Sequence, residues 1–327
     1  MSNLTHMYDL SVVTVCKNAM QFLPRCIASI QPLYSTSLRV EHLIIDGASS
    51  DGTAEYLKEQ LINGQITNFV SEPDKGLYDA MNKGIHLAKG KIIVFINADD
   101  EIVAKGAEAC CEPILAGRAD YTAGCALYVK QTGETILLKP NIKKALWRLP
   151  YCHQAMYCST ELLRKVGGFK ADKFRIAADT ELMRRLFTMN IPFEAVEATA
   201  AHFHAGGVSS HPASRHEVYM LMFHFTDAYC NSVQKKPFSA FYILKHLRRY
   251  AAQKVLHSDP RILNQEDISL IHNFVHQIGK KLPIFIKLLA KITFFCSGLW
   301  YRLTKIFNSS EKQRLNAELC TLITKTL

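Results

Sequence analysis

No CxxC pair occurs in this sequence, although it holds 10 cysteines; they are scattered, and Cys110 and Cys111 are adjacent. A zinc ribbon or thioredoxin-type redox site is thereby excluded, and a disulfide framework is disfavoured, so a reducing compartment is expected. Met1 to Asp9 lacks the basic segment of a signal peptide, and Leu10 to Val15 is too short for its apolar core. A cytoplasmic location follows as an expectation. There is no GxxxxGK[ST] phosphate loop, no repeat of fixed period and no low-complexity tract, which removes P-loop NTPases and solenoids. RRM, helix-turn-helix and zinc-finger signatures are missing too, so no nucleic-acid partner is expected. An uninterrupted apolar run of 18 residues is also lacking: the most apolar segment, Leu282 to Phe307, is broken by Lys287, Lys291, Arg302 and Lys305. A membrane-spanning helix is not expected there.

What the chain has is 327 residues with 48% hydrophobic content, enough for one large domain and an appendage. Its net charge of +10 is unevenly spread. Residues 235–327 carry 16 Lys and Arg against 5 Asp and Glu, whereas the preceding residues are nearly balanced at 23 against 24. The cations of Leu282 to Phe307, with Trp300 and Tyr301 suited to the headgroup level, predict a helix lying on an anionic membrane surface; a helix pair packed within the protein is the alternative. The expected division is residues 1–210 for a catalytic domain and 211–327 for a basic, helical C-terminal region.

The first two hundred residues alternate strand and helix patterns. Leu10–Cys16, Glu41–Asp46, Thr67–Ser71 and Lys91–Ile96 are apolar or β-branched runs, and Ala19–Ile30, Thr53–Leu61 and Leu77–Ala88 have helical spacing between them. Alternation of this kind predicts an α/β fold with a mainly parallel sheet and helices on both faces. A hairpin is expected over Tyr121–Leu138, helices over Glu161–Val166 and Asp179–Met189, and a strand over Phe193–Ala201. Ligands of such sheets bind at the carboxyl ends of the strands. Two acidic clusters fall there: Asp46 after the second strand, and Asn97-Ala98-Asp99-Asp100 after the fourth.

Paired carboxylates at the tip of a buried strand suit Mg²⁺ or Mn²⁺, hard cations that share oxygen ligands with substrate phosphates; a solvated turn is the alternative for Asp99-Asp100. In Asp46-Gly-Ala-Ser-Ser-Asp-Gly-Thr, Asp46 is a candidate acceptor for a base or ribose, and Asp51 or Ser50 a candidate helix cap. Further on, Asp79 and Asn82 share one face near a helix start, close to the converging strand ends.

The order of these pieces resembles the inverting family 2 glycosyltransferases, especially those of bacterial surface-polysaccharide assembly. The resemblance spans about residues 8–210 and rests on a first strand with Thr14-Val15, DGASSDGT from Asp46, EPDKGLYDAMNKG from Glu72, and NADD from Asn97. It implies a GT-A fold, in which a Rossmann-like nucleotide-binding half merges with an acceptor-binding half. By the same resemblance, Thr14, Val15, Asp46, Lys75, Asp79, Asn82, Asn97, Ala98 and Asp99 would meet a nucleotide-sugar donor. Asp99 with Asp100 would hold the Mn²⁺ or Mg²⁺ and the donor diphosphate, Asn97 standing where many members carry Asp. Asp179 in Ala178-Asp179-Thr180-Glu181 would take the proton of the acceptor hydroxyl, ahead of Glu181. An Asp at that place is also an ordinary helix start.

His153-Gln154 resembles a pair that precedes the acceptor-side helix, which makes both candidates for acceptor or diphosphate contact. His202 and His204 would share one strand face, and His204 is a candidate late metal ligand. The implied reaction is a single in-line displacement at the anomeric carbon with inversion, onto a glycan or a polyprenyl-linked acceptor at the inner face of the cytoplasmic membrane. A non-catalytic nucleotide-sugar-binding or scaffold protein of the same fold is the competing expectation.

Overall fold

The computed structural model describes residues 6–146 and 148–207 and, further along, 217–218, 221 and 224–235. The expected membrane-surface segment and the rest of the basic C-terminal region lie outside these residues. The chain divides into two compact units, Met1–Ser214 and Arg215–Leu327. In the second unit a helix runs over Thr226–Lys235. No helix among the described residues is long and apolar enough to cross a membrane.

The first unit begins with β1 (Tyr8–Cys16), α1 (Leu23–Ile30), β2 (Val40–Asp46), α2 (Thr53–Ile62), β3 (Asn68–Ser71), α3 (Leu77–Leu87) and β4 (Gly90–Phe95). These strands are parallel, in the spatial order β3-β2-β1-β4. Their near-continuous apolar runs follow from burial on both faces: all seven residues of β2 and the last seven of β1 are buried. On one face, Leu10 and Val12 of β1 and Ile92 and Val94 of β4 pack with Cys26 and Ile30 of α1. Helix α3 covers the other face so closely that a Cβ on its Gly84 would lie 2.5 Å from Val13 Cγ1.

The rest of the unit comprises β5 (Glu101–Ile102), α4 (Ala104–Leu115), β6 (Tyr121–Val129), β7 (Thr135–Leu138), β8 (Met156–Ser159), α5 (Thr160–Lys165), α6 (Ala178–Thr188) and β9 (Phe193–His204). These strands extend the same sheet in the order β8-β6-β9-β5, with β7 paired to β6. The sheet is parallel in its first half, whereas β8 runs antiparallel to both β4 and β6, β7 to β6 and β5 to β9; only β6 and β9 run parallel in this half. The parallel pattern expected from the βαβ rhythm thus stops where the rhythm stops.

Helix α4 and strand β8 were not anticipated. The helix contains Gly106 and Pro113, which read as breakers in sequence. Gly106 is there because α4 crosses β9 at backbone contact: a Cβ would sit 1.9 Å from Thr199 O and 2.6 Å from Ala200 Cα. Gly106→Ala is therefore expected to destabilise the unit by about 3 kcal/mol through overpacking, read as a lower urea midpoint with an unchanged slope.

Candidate active site

Register brings Cys16, Asp46 and Ser71 side by side at the carboxyl ends of β1, β2 and β3. The Asp46 side chain is fully buried and accepts from Ser49 N (3.1 Å), Ser49 Oγ, Ser71 Oγ (2.6 Å) and Cys16 Sγ (3.6 Å). A carboxylate so enclosed organises the loop after β2. Asp74 packs against Gly47 of that loop: a Cβ on Gly47 would lie 2.3 Å from Asp74 Oδ2 and 3.3 Å from Lys17 Cδ. Asp74 is a partly exposed acid at these strand ends, its Oδ1 accepting from Gly76 N at 2.8 Å.

Several residues expected at the donor also have partners within the protein. Thr14 is buried, with its hydroxyl 3.1 Å from His42 Nε2, and Val15 and Ala98 are core residues. Asp79 accepts from Lys75 N at 3.0 Å and so closes the first turn of α3, where an acid also complements the helix dipole; the Lys75 side chain is exposed. Asn82 spends its amide on Phe169, donating to its carbonyl at 2.9 Å and accepting from its N–H at 2.8 Å. The i,i+3 spacing of Asp79 and Asn82 was legible in sequence, but whether those side chains face a ligand or the protein was not.

The turn after β4 separates the two adjacent acids. Asp100 is buried, its Oδ2 accepting from Gln154 Nε2 (2.9 Å) and its Oδ1 from His204 N (2.9 Å). Burial and the neighbouring Asp99 charge push its pKa up to about 8, against those two hydrogen bonds and Arg25. Each oxygen accepts one hydrogen bond, so Asp100 and Gln154 form a buried pair beneath the turn. Asp99 differs: it is partly exposed, and its carboxylate has no hydrogen-bond partner among the described residues. Only its backbone carbonyl is held, by Arg25 Nη2 at 2.6 Å. Beside it, Asn97 Oδ1 is buried without a partner.

His204 turns its Nε2 to Glu101 Oε1 at 2.8 Å, and Glu101 also pairs with Arg25 at 3.3 Å. No group of three or more His, Cys, Asp or Glu side chains suited to a metal occurs among the described residues. The donor set therefore fits a cation that keeps most of its shell for phosphate and water, as Mg²⁺ does, with Asp99 as the available protein carboxylate.

Opposite this turn lies the start of α6. Asp179 is partly exposed, and its Oδ1 is 2.6 Å from Thr180 N and 3.0 Å from the Tyr78 hydroxyl. Tyr78 also lies 2.7 Å from Ile176 O, so its one proton is shared between a carbonyl and a carboxylate. No protein partner is found for Asp179 Oδ2 among the described residues. Glu181 is fully buried in a two-point pair with Arg185, at 2.9 and 3.0 Å. Arg185 in turn donates to the carbonyls of Val166 and Gly168 (2.6 Å to the latter), which fixes the loop before α6.

His153 joins the two sides of the cleft. It stacks on Phe95 at a centroid separation of 5.8 Å, packs edge-on against Phe169, and feels the Asp179 charge. Burial lowers its pKa, partly offset by Asp179, and its Nε2 is buried without a partner. It is thus a neutral imidazole with an open nitrogen. Tyr78, Arg25 and Asp74 escaped sequence analysis because a lone Tyr, Arg or turn Asp carries no periodicity that marks it.

Residues 11–175 match the family described as Glycosyl transferase family 2, and the chain belongs to that family. Among curated proteins it is 29% identical over 218 residues to an uncharacterized glycosyltransferase of Mycobacterium tuberculosis, covering 64% of this chain and 79% of that one. A glycosyltransferase of PGL/p-HBAD biosynthesis from Mycobacterium bovis is 26% identical over 194 residues, covering 54% and 69%. The EpsH glycosyltransferase of Bacillus subtilis is 26% identical over 208 residues, covering 61% and 57%. Among solved structures, Staphylococcus aureus TarS 1–349 in complex with UDP-GlcNAc superposes with a TM-score of 0.57 at 14% identity, covering 89% of this chain and 88% of that one. The fold is that of the GT-A glycosyltransferases.

The assignment of Glu181 to the framework predicts that Glu181→Ala leaves Arg185 unpaired and costs about 3 kcal/mol of stability, measured by chemical denaturation.

Proposed function

We propose that this glycosyltransferase acts on a nucleoside-diphosphate sugar by a single inverting displacement, with Asp179 as the general base. The observation that carries this is the Asp179 carboxylate itself: one oxygen is held by Thr180 N and the Tyr78 hydroxyl, and the other has no partner among the described residues. A base so oriented accepts the proton of an acceptor hydroxyl along one direction, as general-base catalysis requires. Tyr78 is a positioning residue for that carboxylate.

Asp99 would hold the Mn²⁺ or Mg²⁺, and the cation when bound supplies compensation for charge on the departing diphosphate. Asp100 and Gln154 fix the turn that aims Asp99, and Asp74 and Lys17 beside Gly47 border the nucleotide. Asn97 Oδ1 and His153 Nε2, buried without a partner among the described residues, would each meet a sugar hydroxyl only if the surrounding side chains move. His204 joins the metal shell only by leaving Glu101. Glycan or glycolipid acceptors of the cell surface fit the PGL/p-HBAD biosynthesis named for the M. bovis relative. A membrane-anchored, polyprenyl-linked acceptor fits the excess of 16 cations over 5 acids in residues 235–327, which would hold the protein at the inner face of the membrane.

Purified protein with a panel of nucleotide sugars and Mn²⁺ or Mg²⁺ is expected to release nucleoside diphosphate when acceptor is supplied. Asp179→Asn is expected to lower kcat by about 10² to 10⁴ while donor binding persists. Near-normal turnover would remove Asp179 as the base. Tyr78→Phe is expected to lower kcat about tenfold with donor KM unchanged, the loss of one hydrogen bond to the carboxylate. Asp99→Ala is expected to raise the Mn²⁺ concentration needed for donor binding, read by calorimetry, without a loss of thermal stability.

A further inference from the structure

Outside the cleft, the most unusual surface is the edge strand β7 and the loop after it. All four residues of β7 are exposed, including Ile136 (40%), Leu137 (47%) and Leu138 (36%). Side chains alternate along a strand, so both faces of this ribbon carry bare apolar groups. Among the described residues β7 pairs with β6 alone, which leaves its other edge open. Soluble proteins blunt such edges with charge, proline or a covering element, and β7 has none of these within its own span.

The charges come directly afterwards and are of one sign. Lys139, Lys143, Lys144 and Arg148 are exposed, Leu149 is 52% exposed, and no Asp or Glu occurs from 135 to 149. Glu134, at the hairpin turn, is already neutralised by Lys130 at 2.8 Å. The loop is a fixed part of the unit: Asn141 N donates to Pro150 O at 2.6 Å and closes its base, and Ala145 and Leu146 are buried. Arg184, on the helix that carries Asp179, donates to Ala145 O at 3.2 Å. Exposed leucine and isoleucine beside unopposed cations, on a rigid support, match the acyl–headgroup boundary of an anionic bilayer. A second copy docking through the same patch would bring eight cations together without a matching acid.

We propose that β7 and the exposed cations after it form a membrane-contact surface, in which Ile136, Leu137 and Leu138 enter the lipid boundary and Lys139, Lys143, Lys144 and Arg148 meet anionic headgroups. This contact is separate from any made by the basic C-terminal region, and it ties the helix bearing Asp179 to the bilayer directly. An acceptor held in the same leaflet would then approach from the side of the molecule that touches lipid.

The full chain is tested with vesicles of phosphatidylglycerol and phosphatidylcholine by co-sedimentation. The triple variant Lys139→Glu, Lys143→Glu, Lys144→Glu is expected to bind about a hundredfold more weakly, and the triple Ser variant of Ile136, Leu137 and Leu138 at least tenfold more weakly. Both sets lie on exposed positions, so melting temperatures stay near that of the parent. Because the C-terminal region can also hold lipid, a local readout accompanies them. Leu137→Trp is expected to show fluorescence quenching by brominated acyl chains beyond that of the parent protein. Unchanged binding by both triple variants, no added quenching in Leu137→Trp, or no vesicle binding by the parent would each overturn the proposal. A change of oligomeric state in the triple Ser variant, with vesicle binding intact, would reassign the edge to self-association. Loss of transfer in Asp179→Asn is independent of all these outcomes.

Discussion

The Asp100 carboxylate is the point at which the two halves of the sheet are fastened together under the candidate metal ligand. It belongs to the turn after β4, the last strand of the parallel half, yet its oxygens are claimed by Gln154 just before β8 and by the backbone of His204 at the end of β9. A buried carboxyl group left without these donors would cost several kcal/mol, so the three segments hold one another in place. Asp99 is aimed outward because its neighbour is held inward. The acidic pair therefore divides: Asp100 is held by the protein, and the Asp99 carboxylate is left without a hydrogen-bond partner among the described residues.

A second network performs the same service for the opposite wall. Asn82 on α3 grips Phe169, Arg185 on α6 grips Val166 and Gly168, and Glu181 balances the Arg185 charge. Tyr78, one turn before Asn82 on α3, reaches Asp179 at the start of α6. The helix that follows the donor-side strands and the helix carrying the proposed base are thus bound to a single loop. Their spacing is set by side chains whose hydrogen bonds are already satisfied within the protein.

Much of this was legible in the sequence, for reasons that are local. The βαβ rhythm of residues 8–96 is written in apolar periodicity, and the structure follows it to within a few residues at most element ends. Helix α4 was hidden because Gly106 answers a tertiary contact with β9 that no local pattern encodes. The site residues divide in the same way. Sequence order placed Asp46, Asp79, Asn82, Asp99, Asp100, Asp179 and Glu181 near strand ends and helix starts, but it could not say where their oxygens are spent. Asp46, Asn82, Asp100 and Glu181 have both side-chain polar atoms engaged within the protein, while Asp79, Asp99 and Asp179 each retain an oxygen without a hydrogen-bond partner among the described residues.

The eight described cysteines are all free and all buried, and they are distributed over β1, α1, α4, β6, β8, the segment before β8 and the helix at Thr226–Lys235. Burial pushes the thiols of Cys26, Cys110 and Cys152 up to about 12, far from the thiolate that reacts with electrophiles. Each is therefore silent until its own element opens. Labelling rates mapped cysteine by cysteine would chart the local opening free energies of both walls of the cleft, using reporters that the native chain already carries.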